Sequence, residues 1–424
     1  MNSTNLQHIK KVIVAHPFKQ HSLKTAVALK SQYLFKYITT VYDKKGSLTR
    51  AVKNLLSERN TLKANGRKCD KLDDSEIVQI DEFGGLLALA LLRVDKNRRI
   101  YNKFVNYLQD SFGRKVAKYA ITNEADAVIM YDLTAGACFD YLKRKAPHIK
   151  RIMDVSAANL LYMKKIYAND MRISPLWSSK LYKERQYIWD EFFLQRVKAE
   201  MDATQYFLVP SEFVRKSLND SGIKDKQLIK CPYGIEVNRD TDCLNNTRNK
   251  LNSVNFVFIG GARQLKGISY LLDAFINLPL GKATLSVIGE CNLNEECLKP
   301  YVPYVNFTGR LLPQEVESLL NEMDVMVFPS IGEGFGICIL EGLAAGLPVI
   351  GTENTGAKDC IVDGYNGFVV QAQNAFVLEE KMKWFIDNKD EIQRMSLNAI
   401  DTAKQYTDEN YQECINNSIK QIFA

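Results

Sequence analysis

EGFGICILE, residues 333–341, is the stretch on which the reading of this chain turns. It follows a strand-like run that ends in Pro329-Ser330 and leads into a glycine-broken apolar helix, then into GLPVIGTENTGAKDCIVDGYNGFVV. Strand, glycine-bearing loop and helix make one unit of an α/β fold, with Gly346 and Pro348 stopping the helix. The stretch opens on Glu333 and closes on Glu341. A carboxylate set between ICIL and GLAAG cannot be buried without a hydrogen-bond partner, and a ligand hydroxyl is a natural one for Glu341. Glu333 stands at the mouth of the helix, where Gly334 and Gly336 flank Phe335 and let a ligand reach backbone N–H groups. The plain alternative is a helix with one solvated carboxylate and one capping its N-terminus.

Outward from that unit, strand-like runs alternate with helical patterns throughout. The second half reads NFVFIGG (255–261), ATLSVIG (283–289), YVNFTG (304–309), VMVFP (325–329), LPVIG (347–351) and GFVV (367–370). The first half reads KVIVA (11–15), TTVY (39–42), EIVQI (76–80), AVIMY (127–131), RIMDV (151–155), YFLVP (206–210) and LIKCP (228–232). This predicts mostly parallel sheets in two doubly wound domains, residues 1–235 and 254–407, with ligands held in the cleft between the carboxyl ends of both sheets. The polar stretch 236–253 reads as a linker, and residues 408–424 as a C-terminal helix packing back toward the first domain. A long charged helix is expected from about Lys180 to Thr204, and a loop with a short helix, mobile beside substrate, from Ser47 to Asp74.

A chain of 424 residues exceeds one ordinary core, and 46% hydrophobic with 25% charged residues describes a soluble globular protein. No run approaches the roughly 18 apolar residues of a membrane span; Phe83 to Leu92 reads as a core helix. MNSTNLQHIKKVIVAHP lacks the apolar core of a signal peptide and looks like a first strand. Nine cysteines without a C-x-x-C pair, and four histidines, argue against zinc and for reduced thiols in the cytosol. Charge is uneven: residues 1–250 hold 44 Lys+Arg against 27 Asp+Glu, and residues 251–424 hold 12 against 22. The first half therefore either seeks an anion (a phospholipid surface, a lipid diphosphate, an acidic polymer or nucleic acid) or presents a solvated lysine-rich face.

A second motif follows the first strand of the second half: Gly260-Gly261-Ala262-Arg263-Gln264-Leu265-Lys266-Gly267, then the helix ISYLLDAFINL. Strand, glycine loop with cations and helix N-terminus form an anion site, although an ordinary solvated loop has the same appearance. Together with the E-x7-E segment, VNFTGRLLPQEVESLL and, more thinly, YFLVPSEFVRKSL (206–218) and CPYGIEV (231–237), the sequence resembles the retaining nucleotide-sugar glycosyltransferases of family four, which have the two-domain GT-B fold.

The resemblance implies that Glu333 meets the donor sugar, Glu341 the ribose, and backbone around Gly334, Phe335, Gly336 and Ile337 the sugar and distal phosphate. Lys266 matches the cation on the diphosphate; the arginine usual five positions earlier is replaced by Gly261, so Arg263 is the candidate substitute. Arg310 falls where the nucleobase is met. Charge on the departing diphosphate would be stabilised by these donors. With no DxD-like pair beside a strand end, no metal or other cofactor is expected. On the acceptor side the candidates are His16, Asp132, Thr134 and Asn159, with Asp132 the catalytic candidate beside Glu333 and Lys266. Asn159 stands where many relatives have histidine, and His16 and His21 are alternatives for proton transfer. The implied activity is transfer of a sugar from a nucleoside diphosphate, UDP before GDP, to a saccharide, lipid-linked or anionic acceptor in cell-surface polysaccharide or glycoconjugate synthesis. Nucleic acid is not an expected partner; peripheral contact with the cytosolic membrane face is. The alternatives are a non-catalytic GT-B subunit, which donor hydrolysis or transfer would exclude, and a GT-B epimerase or phosphorylase.

Overall fold

The first apolar runs form a seven-stranded sheet in the order β3-β2-β1-β4-β5-β6-β7, and the later runs a six-stranded sheet in the order β10-β9-β8-β11-β12-β13. The strands are β1 Lys11–Ala15, β2 Leu34–Thr39, β3 Ile77–Gln79, β4 Ala127–Tyr131, β5 Lys150–Asp154, β6 Tyr206–Val209 and β7 Leu228–Lys230, then β8 Val254–Ile259, β9 Ala283–Ile288, β10 Asn306–Gly309, β11 Val325–Phe328, β12 Val349–Thr352 and β13 Gly367–Val370. This computed structural model describes residues 9–18, 20–54, 67–237 and 253–424. Every pairing between these strands is parallel. Central strands such as AVIMY and VMVF are buried along their whole length, because helices cover both faces. Strand order reverses between β1 and β4 and again between β8 and β11, so each sheet has a crevice at its carboxyl edge.

The two sheets are joined at both ends of the chain. The helix Asp408–Phe423 leaves the second sheet and lies against the helix Ser22–Leu29 of the first. There Asn416 donates to the Ala28 carbonyl at 2.8 Å, Lys24 pairs with Asp408 at 2.7 Å, and the Tyr411 and Thr25 hydroxyls meet at 2.9 Å.

Three expectations change. The second strand is Leu34–Thr39, not 39–42: Thr40 turns to bond the Pro17 carbonyl, and Asp43 is tied by Arg50 at 2.7 Å and Lys53 at 2.6 Å. The helix expected from Lys180 to Thr204 is broken into Pro175–Glu184 and Glu191–Ala203, because Asp190 accepts from Phe193 N and starts a new helix. The segment read as a core helix, Phe83 to Leu92, is the helix Glu82–Val94, yet several of its large side chains are exposed, Phe83 at 71% and Val94 at 73%, while Leu86, Leu89 and Leu91 are part-buried. The putty of its inner face is small residues, Gly85 and Ala88. Most of the 236–253 linker and residues 55–66 of the 47–74 loop lie outside the described residues.

Candidate active site

The crevice of the second sheet is built by two βα turns. After β8 the chain makes a short turn, Gln264–Lys266, and enters the helix Ile268–Ile276. After β11 it makes the EGFG turn and enters the helix Ile337–Ala344, whose N-cap is Gly336 at φ +86°, where a side chain would be strained. The turns meet through their charged residues: the Lys266 ammonium forms an ion pair with Glu333 and lies 5.4 Å from the centre of the Phe328 ring. Both side chains keep a fifth to a quarter of their surface accessible. The first N–H groups of the helix have no acceptor within it, so its positive end adds to the lysine. Cys338, on the first turn, has its thiol pushed up to about 12 by desolvation and then by Glu341, while Lys266 pulls it down. One thiol thus senses Glu333, Glu341 and Lys266 together.

Glu341 itself is exposed on the helix, which corrects the idea of a buried carboxylate in want of a partner. Ile337 is also exposed, at 40%. Phe335 is fully buried between Tyr233 and Tyr406, and its carbonyl accepts from Gly356 N at 2.7 Å. Gly334 faces the other sheet: its carbonyl accepts from Ser211 Oγ at 2.5 Å, and a Cβ here would stand 2.0 Å from the Ser156 carbonyl oxygen. Contact between the sheets by itself requires glycine here. Gly261 lies beside its own loop's Arg263, whose guanidinium reaches Glu184 of the first half at 3.9 Å. Arg310 follows the edge strand β10, mostly exposed, and pairs with Glu290.

On the opposite wall, Asp132 ends β4 and accepts from both Ser156 N and Ser156 Oγ at 2.7 Å. Desolvation holds its carboxyl above the ordinary range despite those bonds. Ser156, bonded to Asp132, packs its carbonyl closely against Gly334 across the crevice. Thr134 is buried in a turn, bonded to the Tyr131 carbonyl at 2.9 Å, and Asn159 caps the helix Leu160–Ile173 through Leu161 N at 2.8 Å. Asn159 is only 7% exposed and its amide is also engaged with Met201, so its role in the fold is a cap. His16 is buried, held by Phe18 through Nδ1 at 2.6 Å and packed on Tyr131; burial lowers its pKa to about 4, which keeps the ring neutral. His21 Nε2 lies 3.1 Å from Asp154 Oδ1. The acceptor candidates are thus spread over structural bonds, and Asp132 is the one joined to the EGFG turn.

Two groups escaped the sequence reading. Glu200 accepts from the backbone N–H of Leu133, Ala135 and Gly136 at 2.9, 2.7 and 2.8 Å, and so fixes the turn after Asp132, where Leu133 takes φ +67°. Desolvation raises its pKa to about 7 against those bonds. Below this turn a groove of about 720 Å³ opens, lined among others by Asn102, Asn106, Gln109, Tyr141, Tyr187 and Phe193. Asp170, wholly buried, accepts from Gln264 at 3.1 Å, Tyr270 at 2.6 Å and Gln373 at 3.2 Å of the second half, and from Ser178 at 2.5 Å of its own. It ties the loop that carries Lys266 to the first sheet. Neither acid has a sequence signal: each is one more charge on a helix.

These βα turns fall within a stretch shared with other proteins. Residues 253–388 match the family of glycosyl transferases group 1. An uncharacterized glycosyltransferase of Methanocaldococcus jannaschii is 28% identical over 38% of this chain and 45% of its own length. The D-rhamnosyltransferase of Pseudomonas aeruginosa is 31% identical over 38% of this chain and 43% of its own. The chain spans about half the length of the curated relatives it matches. Among solved structures, Anabaena HepE in complex with UDP superposes over 97% of this chain and 100% of its own, with a TM-score of 0.62 and 13% identity. A lipopolysaccharide outer core galactosyltransferase does so over 97% and 99%, with a TM-score of 0.64 and 14% identity. The fold is GT-B.

Proposed function

We propose that this chain is a glycosyltransferase that moves a sugar from a nucleoside diphosphate, UDP before GDP, to a saccharide or lipid-linked acceptor in surface polysaccharide assembly. The observation that carries this reading is the Lys266–Glu333 pair at the positive end of the helix Ile337–Ala344, inside the stretch matched by the glycosyl transferases group 1 family. A pyrophosphate would compete with Glu333 for the lysine, which frees the carboxylate to accept from a sugar hydroxyl. Negative charge growing on the leaving diphosphate then meets an ammonium and a helix N-terminus already aimed at it. Exposed Glu341 is free to accept from ribose hydroxyls. Retention of configuration and independence of metal belong to the same reading.

The choice of UDP draws on HepE, solved with UDP and with UDP-glucose. The choice of pathway draws on relatives named O-antigen chain mannosyltransferase and capsular polysaccharide biosynthesis glycosyltransferase. The groove beyond Asp132, with aromatic faces and amide side chains, suits a saccharide acceptor. The basic first half suits a membrane surface on the cytosolic side.

A thermal-shift panel of UDP, GDP, ADP and their sugars, with and without EDTA, tests the reading. A ligand at 100 times its dissociation constant stabilises by about 2.7 kcal/mol. UDP should shift the wild type with EDTA present, and Lys266→Ala should lose both that shift and most of the turnover. Absence of a shift with every nucleotide would sink the proposal.

A further inference from the structure

The helix Glu82–Val94 buries Gly85 and Ala88 and exposes Phe83, Leu87, Leu92 and Val94. A Cβ on Gly85 would meet Thr40 Oγ1 at 2.4 Å, and one on Gly84 would meet Leu108 at 2.8 Å, so the backbone lies close on β2's end and on the helix Arg99–Thr122. Ala88 completes this inner face. The outer face consists of Phe83, Leu87, Ala90 and Val94, all exposed, at positions i, i+4, i+7 and i+11. That spacing sets them in one stripe along the helix. On the next helix Ile100, 63% exposed, and Tyr107, 71% exposed, share one face at a seven-residue interval. A stripe of this kind on a soluble monomer marks contact with something apolar.

Charge beside the stripe says what that partner is. The connection and the following turn read DKNRRIYNK, with Lys96, Arg98, Arg99 and Lys103 all exposed. The acid among them, Asp95, accepts from Tyr101 N at 2.8 Å and so is spent on starting the second helix. Apolar side chains next to a cluster of cations match the boundary of an anionic bilayer, where the former enter the acyl region and the latter meet phosphate. No helix among the described residues is long and apolar enough to cross a membrane, so the contact would be from one side.

We propose that the helix Glu82–Val94 and the start of the helix Arg99–Thr122 dock this chain on an anionic lipid surface. This deepens the membrane contact named above and stands apart from the donor chemistry, because vesicle binding is read without turnover. The test is sedimentation of the full chain with vesicles of mixed phosphatidylcholine and phosphatidylglycerol against pure phosphatidylcholine. The wild type should pellet with the mixed vesicles. Phe83→Ser with Val94→Ser, and separately Lys96→Glu with Arg99→Glu, should each weaken that binding at least about tenfold, with the nucleotide thermal shift unchanged. The proposal is overturned if the wild type ignores anionic vesicles, or if the apolar double variant still binds as the wild type does. It is also overturned if that variant turns a dimer into a monomer on gel filtration, since a second copy would then be the occupant.

Discussion

Asp170→Ala should be the most damaging single change outside the proposed donor pocket. The carboxylate is wholly buried and takes hydrogen bonds from Gln264, Tyr270, Gln373 and Ser178 at 3.1, 2.6, 3.2 and 2.5 Å. Alanine leaves the buried Gln264 and Tyr270 donors without this acceptor, while Ser178 keeps the Asp170 carbonyl at 3.1 Å and Gln373 the Ile166 carbonyl at 3.1 Å. A hydrogen bond to a charged group is worth about 1.5–3 kcal/mol, but the four share one acceptor and do not add. Breaking a buried charged network by removing one partner costs about 3–5 kcal/mol, and the relief of no longer burying the charge keeps the loss toward the lower figure. Urea unfolding followed by circular dichroism should give a drop of about 3 kcal/mol. Asp401→Ala, which removes only an exposed pair with Lys404, should stay within about 0.5 kcal/mol. UDP affinity should fall with Asp170→Ala as well, because Gln264 sits two positions from Lys266 in the same loop. A loss under about 1 kcal/mol for Asp170→Ala would refute the idea that this acid holds the two sheets together.

Glu341→Ala should weaken UDP binding by about tenfold, the worth of one lost charged hydrogen bond, with no change in melting temperature, because the side chain is exposed; isothermal titration and a melting curve check both halves. Gly334→Ala places a Cβ 2.0 Å from the Ser156 carbonyl and must push the sheets apart, so the melting temperature and transfer rate should fall together. Glu200 and His16 give opposite pH slopes to stability. Glu200 is raised from 4.5 to about 7, so the folded state binds the extra proton and stability falls as pH rises through that window. His16 is lowered from 6.5 to about 4, so the unfolded state binds the extra proton and stability rises over pH 4 to 6.5. Glu200→Gln should therefore make urea midpoints climb more steeply from pH 4.5 to 6.5 than in the wild type, and a flatter profile would contradict the assignment.

Legibility in the sequence followed the range of the interaction. The central strands could be read because a parallel strand covered on both faces is continuously apolar, and VMVF or AVIMY admits few other structures, whereas the second strand, half-exposed at Leu34, is read too late, at 39–42. That Lys266 and Glu333 stand on two βα turns could be read because local glycines set each turn. The orientation of Glu82–Val94 could not. Apolar composition says that a helix seeks an apolar partner, but the close seat of Gly84 and Gly85 on Thr40 and Leu108 decides which face turns in, and those partners are distant in sequence. The same holds for Asp170, which looks like a solvated residue until Gln264, Tyr270 and Gln373 arrive from some hundred or more positions away.

The roles of the glycines in EGFG show why motif and mechanism need separate arguments. Both Gly334 and Gly336 looked like openings for a ligand. Gly336 fits that use: its positive φ starts the helix whose N-terminus faces Lys266. Gly334 instead presses on Ser156, which is bonded to Asp132, and receives Ser211 from the opposite sheet. A motif that reads as one binding loop therefore does two things. Gly336 starts the helix beside Lys266, and Gly334, two positions earlier, sets how near the turn carrying Ser156 stands. Any change in the spacing of the two sheets would be felt at Glu333, between Ser330 and Lys266, before it reached Glu341 on the exposed helix face. Under the proposed function, sugar binding at Glu333 should depend on closure of the sheets, while nucleotide binding at Glu341 should not.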